Sequence, residues 1–236
     1  MYEPAVTRYW LVLPAAGGGQ RFGAAIPKQY APLAGSTVIE HALDPFLGDD
    51  RCMGIAVVLS PEDQWFAKLP VARHPALRMV NGGDERSDSV RMGLESLSAA
   101  DADWILVHDA ARPCISRDEI DALLEGVLND PVGGLLAVPV ADTLKQGDEQ
   151  DRVCSTAPRS ALWRALTPQM FRAGLLRDAL AQAALAGRVP TDESQAVEWL
   201  GHFPRLVPGS ARNIKVTQAA DLALADALLR QGDAAR

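Results

Sequence analysis

The sequence predicts an α/β fold built on a mainly parallel sheet. Short runs at residues 9–13, 55–59, 104–108 and 134–140 are almost uninterrupted in apolar side chains, as strands covered on both faces require. Longer amphipathic stretches separate them. The resulting β-α-β-α order calls for parallel neighbours joined by right-handed crossovers.

Residues 9–13 make the first strand, followed directly by a glycine loop. The run 55–59 makes the second, and Ser60-Pro61-Glu62-Asp63 then reads as a helix start with an N-cap, a first-turn proline and two acids matched to the helix dipole. A weaker strand is expected at 77–80. Ser87 or Asp88 then caps a helix over 90–97. The strand at 104–108 leads to Ser116-Arg117-Asp118-Glu119, a capping box. After the strand at 134–140 the rhythm breaks. Residues 141–159 are polar, contain Gly147 and a run of acids, and alternate weakly at either end, so a surface loop and an extended hairpin fit the pattern equally. Thr217 is placed to cap a last helix over 219–229. No repeat or interdomain linker interrupts the 236 residues, and a chain of that length can close one α/β core.

Bulk properties remove several classes of function. A net charge of -7 argues against nucleic-acid binding, which needs a basic face. A few Lys and Arg in one cleft still suffice for a phosphorylated small molecule. Cys52, Cys114 and Cys154 are scattered and odd in number, without metal-binding spacing, which points to a reducing cytoplasm. The first residues show no signal pattern, and no apolar run reaches the ~18 residues of a membrane span. A cytoplasmic protein with neither nucleic acid nor membrane as partner is expected.

Ligands of parallel α/β sheets bind beyond the carboxyl ends of the strands, and the segments from Pro14 to Lys28 and from Asp109 to Pro113 both lie there. Pro14-Ala15-Ala16-Gly17-Gly18-Gly19-Gln20-Arg21-Phe22-Gly23 has the small residues that let backbone N–H groups approach phosphate oxygens. It is no dinucleotide fingerprint, since Phe22 occupies the third glycine position counted from Gly17. It is no Walker A loop either, since Ala24-Ala25 follow Gly23. What remains is a loop flanked by two cations, Arg21 and Lys28, which suits a triphosphate better than a bare surface turn.

Pro14-Ala15-Ala16-Gly17 through Pro27-Lys28-Gln29-Tyr30 resembles the signature of sugar-nucleotide and polyol-phosphate nucleotidyltransferases. Further segments narrow the likeness: Gly82 to Val90 (GGDERSDSV), Val107 to Pro113 (VHDAARP), Pro139 to Lys145 (PVADTLK), Leu166 to Phe171 (LTPQMF), Thr191 to Ser194 (TDES) and Asn213 to Thr217 (NIKVT). Together they resemble the cytidylyltransferases that act on 2-C-methyl-D-erythritol 4-phosphate, over residues 10 to 229.

The resemblance implies a Rossmann-like, doubly wound, mainly parallel sheet of the nucleotidyltransferase type, forming one domain over residues 1–236. Residues 141–159 would be a protruding β-arm that crosses to a partner in a homodimer. It also implies transfer of CMP from CTP to 2-C-methyl-D-erythritol 4-phosphate, with Mg²⁺ assisting an in-line attack and pyrophosphate leaving. Such chemistry needs positioning and positive charge rather than a covalent intermediate. The catalytic cations carried over are Arg21, Lys28, Arg159 and Lys215. CTP would meet Ala15, Ala16, Gly17, Gly18, Gly19, Gly83, Asp84, Arg86, Ser89 and Ala110. Asp109, Arg112, Thr143 and Thr167 would meet the polyol phosphate, and Asp109 would hold the metal, which prefers one or two carboxylates completed by phosphates and water. Arg86 either orients the cytosine loop or pairs locally with Asp84.

Each of these residues has a plainer reading: Asp109 as a turn-capping Asx residue, Lys215 as a solvated lysine, Ser87 or Ser89 as a helix cap. Two positions depart from the family pattern. Pro158 precedes Arg159 where an acid is common, and Arg212 stands before Asn213 where an acid is usual, which adds positive charge beside the phosphate site. Ribitol 5-phosphate or a related polyol phosphate is the alternative acceptor. A nicotinamide-dependent oxidoreductase and an inactive nucleotide-binding regulator are the alternatives in other classes.

Overall fold

The computed structural model describes residues 7–17 and 26–233. Its strands are β1 (Tyr9–Pro14), β2 (Pro32–Leu33), β3 (Ser36–Thr37), β4 (Cys52–Leu59), β5 (Leu77–Asn81), β6 (Trp104–Val107), β7 (Gly133–Pro139), β8 (Leu144–Gly147), β9 (Val153–Ala157), β10 (Trp163–Arg172) and β11 (Arg205–Pro208). Its α-helices are α1 (Val38–Leu47), α2 (Arg86–Ser96), α3 (Arg117–Val127), α4 (Ala173–Leu185), α5 (Glu193–Glu198) and α6 (Ala220–Asp233).

Among the described residues seven strands share one sheet, in the order β11-β7-β10-β6-β1-β4-β5. All neighbours are parallel except β10, which runs antiparallel to both β6 and β7. Side-chain alternation along β1 explains the two-faced burial: Tyr9, Leu11 and Leu13 pack on one side with Ile39, Leu43 and Phe46 of α1 and Ile120 and Leu123 of α3. Val12 packs on the other with Val90 and Leu94 of α2 and Leu176, Ala179 and Leu180 of α4. The sheet is therefore covered on both faces, as the apolar strand runs predict. From β1 the chain steps outward to β4 and β5, then α2 carries it back to β6 on the opposite side of β1. That reversal opens a crevice above the carboxyl ends of β1 and β6.

The five expected strands appear within a residue or two of their expected limits, β4 starting three residues earlier. The helix expected at residues 60–63 does not form. Two 3₁₀ turns, Phe66–Lys68 and Pro70–Arg73, stand there instead. Pro70 and Pro75 force the preceding residues out of the helical region, and Leu69 and His74 have ψ of 144° and 130°. Asp63 still caps, accepting from the N–H groups of Trp65 and Phe66. Ser87 and Asp88 do not cap α2, because the helix begins earlier and Glu85 is its N-cap. Ser116 and Glu119 form the expected reciprocal capping box on α3. At α6 the capping runs backwards: Asp221 accepts from the N–H groups of Thr217 and Gln218 and from the Thr217 hydroxyl.

The undecided segment at 141–159 is a hairpin. β8 and β9 pair antiparallel with each other and with no strand of the main sheet, and nearly every residue along them is exposed.

Candidate active site

Pro14 to Gly17, leaving the end of β1, form one wall of the crevice. Lys28 and Gln29, Gly83 to Arg86 with Ser89, and Asp109 to Ala111 with Lys215 complete the lining. The expected positions Ala15, Ala16, Gly17, Lys28, Gly83, Asp84, Arg86, Ser89, Asp109, Ala110 and Lys215 thus surround one cavity of about 180 Å³. Arg21, Gly18 and Gly19 lie outside the described residues.

Gln29, buried in the 3₁₀ turn Lys28–Tyr30, fixes the glycine loop by donating to the carbonyls of Ala15 (2.9 Å) and Gly17 (3.3 Å). The turn itself is anchored from outside. Tyr30 donates to the Asp63 carboxylate and stacks on Trp65. Gly82 lets the loop before α2 close on the strand ends: a Cβ there would stand 2.6 Å from Ser89 Oγ and 2.8 Å from Ala16 Cβ.

Part of the lining is an ion cluster. Arg86 donates to Asp109 Oδ1 through Nε (3.1 Å) and Nη2 (3.0 Å), and grips Glu193 with Nη1 and Nη2. Lys215 Nζ stands 2.8 Å from Asp109 Oδ2, and Arg112 Nε 3.6 Å from the same oxygen. Burial alone would raise the Asp109 pKa, but Arg86 and Lys215 outweigh it and hold the carboxyl well below its ordinary range. Burial likewise opposes charge on Arg86, yet Glu193 and Asp109 raise its pKa further. Three cations, Arg86, Lys215 and Arg112, thus meet two carboxylates, Asp109 and Glu193, in this cluster, while Lys28, Asp84 and Glu85 also line the cavity.

Arg86 thus does not pair with Asp84, because Glu193 is the stronger partner. Gln169 of β10 sets that partner in place: its side chain accepts from the Ser194 N–H and donates to Asp192, the N-cap of α5. Glu193 sits in the Thr191–Ser194 motif, but an acid in a first helical turn reads as a dipole match. Nothing in the sequence announces it as a buried counter-ion.

Behind this cluster, His108 is fully buried and its pKa is lowered to about 4, chiefly by burial. Its Nε2 donates to the Arg112 carbonyl, so the neutral ring accepts at Nδ1 from the Thr167 hydroxyl. Thr167 Oγ1 in turn accepts from the Asp109 N–H (3.0 Å). Thr167 is buried, and its hydroxyl hydrogen is spent on His108 rather than turned into the cleft. Arg112 donates to the Asn213 carbonyl at 2.8 Å.

Thr143 and Arg159 are exposed at the base of the hairpin, outside the lining of this cavity, and Arg159 donates to the Ala141 carbonyl. Arg212, expected to add positive charge beside the phosphate site, does not line the cavity. Its guanidinium turns to the last helix and donates to the Leu228 carbonyl (2.7 Å) and to Gln231, which explains why a cation is tolerated there. No group of three or more His, Cys, Asp or Glu able to hold a metal occurs among the described residues. A cation resting on Asp109 would have to displace Arg86 or Lys215 from its oxygens, with phosphates and water completing the shell. No helix is long and apolar enough to cross a membrane among the described residues.

Comparison with known proteins identifies a family. The family model for 2-C-methyl-D-erythritol 4-phosphate cytidylyltransferase (IspD) matches residues 9–231. A relative of that name from Ectopseudomonas mendocina is 51% identical over 220 residues, covering 92% of this chain and 94% of its own. One from Pseudomonas putida is 50% identical over 217 residues, covering 91% and 92%. A crystal structure of 4-diphosphocytidyl-2C-methyl-D-erythritol synthase superposes with a TM-score of 0.82 at 41% identity, covering 94% of this chain and 99% of its own. The Francisella tularensis 2-C-methyl-D-erythritol 4-phosphate cytidylyltransferase gives 0.83 at 33% identity, with 94% and 100% covered.

Proposed function

The chain belongs to the 2-C-methyl-D-erythritol 4-phosphate cytidylyltransferase family, and from that membership we propose that its cleft transfers CMP from CTP to 2-C-methyl-D-erythritol 4-phosphate. The products are 4-diphosphocytidyl-2-C-methyl-D-erythritol and pyrophosphate. An acceptor phosphate oxygen bonds to the α-phosphorus of CTP as the bond to the β-phosphate oxygen breaks, and pyrophosphate carries away the electron pair. The observation that carries the reading is Asp109, kept ionised between Arg86 and Lys215 in a cleft that Lys28 also lines.

Two anions must meet, so the protein supplies position and positive charge. Lys28, with Arg21, holds the triphosphate and takes up charge developing on the transferred group. Lys215 and Arg112 receive the acceptor phosphate, and Thr167 keeps Asp109 in place from beneath. Backbone groups of Ala15, Ala16, Gly17, Gly83 and Ala110, with Asp84 and Ser89, read the cytosine and ribose. Refusal of uracil follows if its carbonyl leaves such buried polar groups unpaired. Asp109 is the carboxylate that would hold Mg²⁺, which when bound neutralises phosphate charge. Gly18 and Gly19 are proposed to meet the triphosphate as well.

The whole chain is proposed to work as one cytidylyltransferase domain and as a homodimer. The exposed hairpin fits that arrangement, with Thr143 and Arg159 serving the neighbouring protomer's cleft. Pyrophosphate release is the test, measured with each of the four nucleoside triphosphates against 2-C-methyl-D-erythritol 4-phosphate and ribitol 5-phosphate. Release is expected with CTP and the methylerythritol acceptor. Faster turnover with ribitol phosphate overturns the acceptor, and an equal rate with UTP overturns the base assignment.

A further inference from the structure

The capping glutamate of α3 does more than cap. Glu119 is buried, with 7% of its surface exposed, and both its oxygens are fully engaged. Oε2 accepts from the Ser116 N–H and hydroxyl, at 3.3 and 3.2 Å. Oε1 points away from the helix and accepts from the Ser210 N–H at 2.9 Å and from Asn213 Nδ2 at 3.4 Å. The backbone N–H groups of Ser116 and Ser210 and the Asn213 amide all donate to it.

The turn held in this way leads into the acceptor side of the cleft. Asn213 also donates to the Thr167 carbonyl at 2.9 Å, and its own carbonyl receives Arg112 Nη1 at 2.8 Å. Two residues on, Lys215 reaches Asp109, and Val216 N–H closes on the Ala111 carbonyl at 2.8 Å. Gly209 enters the turn so tightly that a Cβ there would lie 3.1 Å from Leu166 and 3.5 Å from Glu119 Oε1. One carboxylate therefore fixes the turn that leads to Lys215 and accepts from Arg112.

We infer that Glu119 is a positioning residue for the acceptor phosphate: through Ser210 and Asn213 it sets where Arg112 and Lys215 stand relative to Asp109, and it leaves the CTP side untouched. The inference rests on the function proposed above for the cleft, and wild-type CMP transfer in the same assay tests that function separately.

The experiment compares Glu119→Gln with Ser116→Ala, which weakens the helix cap but leaves Oε1 with its two loop partners. For Glu119→Gln, kcat/KM for methylerythritol phosphate should fall roughly 10- to 100-fold, the scale of an ångström of misplacement, mainly through KM. The dissociation constant for CTP should stay at the wild-type value, and exchange of the Ser210 amide hydrogen should accelerate. Ser116→Ala should lower the melting temperature without either change. Matching acceptor KM in the two variants, or unprotected exchange at Ser210 already in the wild type, reduces Glu119 to a helix cap and overturns the inference. If Glu119→Gln does not fold, Glu119→Asp, whose shorter carboxylate cannot span both partner sets, gives the same comparison.

Discussion

Replacing Arg86 by methionine removes the guanidinium shared by two buried carboxylates. Asp109 keeps Lys215 at 2.8 Å and Arg112 at 3.6 Å, but the Glu193 side chain, 1% exposed, has no other ion-pair partner among the described residues. Breaking one side of a buried pair costs ~3–5 kcal/mol. At ~2–4 °C per kcal/mol for a chain of this size, the melting temperature falls by about 6–20 °C. The loss has a pH signature. Burial already pushes the Glu193 carboxyl up, with Arg86 offsetting part of that rise, so removing Arg86 raises it further above the unfolded value of ~4.3. Between those two values the folded variant holds a proton that the unfolded chain has released, so its stability declines as pH rises. The deficit should therefore grow as pH rises above the unfolded value of ~4.3. Urea unfolding at pH 5, 6.5 and 8 measures it, alongside Arg86→Met/Glu193→Gln, in which the pH-dependent part should vanish. A deficit within ~0.5 kcal/mol at pH 8, the scale of ordinary surface changes, or an unchanged pH slope in the double variant, refutes the assignment of Glu193 as an obligate counter-ion.

Lys28→Ala should lower kcat roughly 10²–10³-fold, the scale for one preorganised charge-stabilising group, with the circular dichroism spectrum unchanged; a near-normal kcat removes Lys28 from the chemistry. Gly82→Ala drives a methyl group into Ser89 and Ala16, so it should cost ~1–3 kcal/mol and raise KM for CTP. Wild-type kinetics in that variant would mean the close approach seen at Gly82 is not needed. Mixing inactive Lys28→Ala and Arg159→Ala subunits should restore activity in verified mixed dimers, because one composite site then has both residues intact. Absence of rescue places Arg159 in its own subunit's site.

Strand identity was legible because strands buried on both faces leave continuous apolar runs, and the location of the cleft followed from strand order. Cavity-lining residues such as Ala15, Gly17, Lys28 and Asp109 were legible through a glycine loop and polar groups beyond strand ends. Two kinds of feature were not. The turns after β4 carry every local sign of a helix start at Ser60, and it is Pro70 and Pro75, further along, that deny the helix room. Arg86 had an acid two residues away in Asp84, yet its partners are 23 and 107 residues distant, a pairing only the closed sheet creates. Arg212 misled for the same reason: Lys215, three residues on, lines the cleft, whereas the Arg212 side chain turns to the carbonyl end of α6. Glu119 and Gln169 look like surface polar residues until both ends of each side chain are traced to their partners.

The hairpin of β8 and β9 leaves the main sheet and returns to it at one point. Val140 donates to the Leu162 carbonyl, and Pro139 lies opposite Trp163 where β7 and β10 run antiparallel. The excursion is closed at its base by strands that belong to the core, so lengthening it costs little loop entropy and disturbs no core packing. Such a segment behaves as an exchangeable cassette: a swap of residues 141–159 between relatives would alter what the cassette touches while the nucleotide crevice, held by β1, β6 and α2, keeps its shape. With Thr143 and Arg159 in their proposed role at the neighbouring cleft, acceptor preference and nucleotide preference can then drift apart in evolution, each under its own selection.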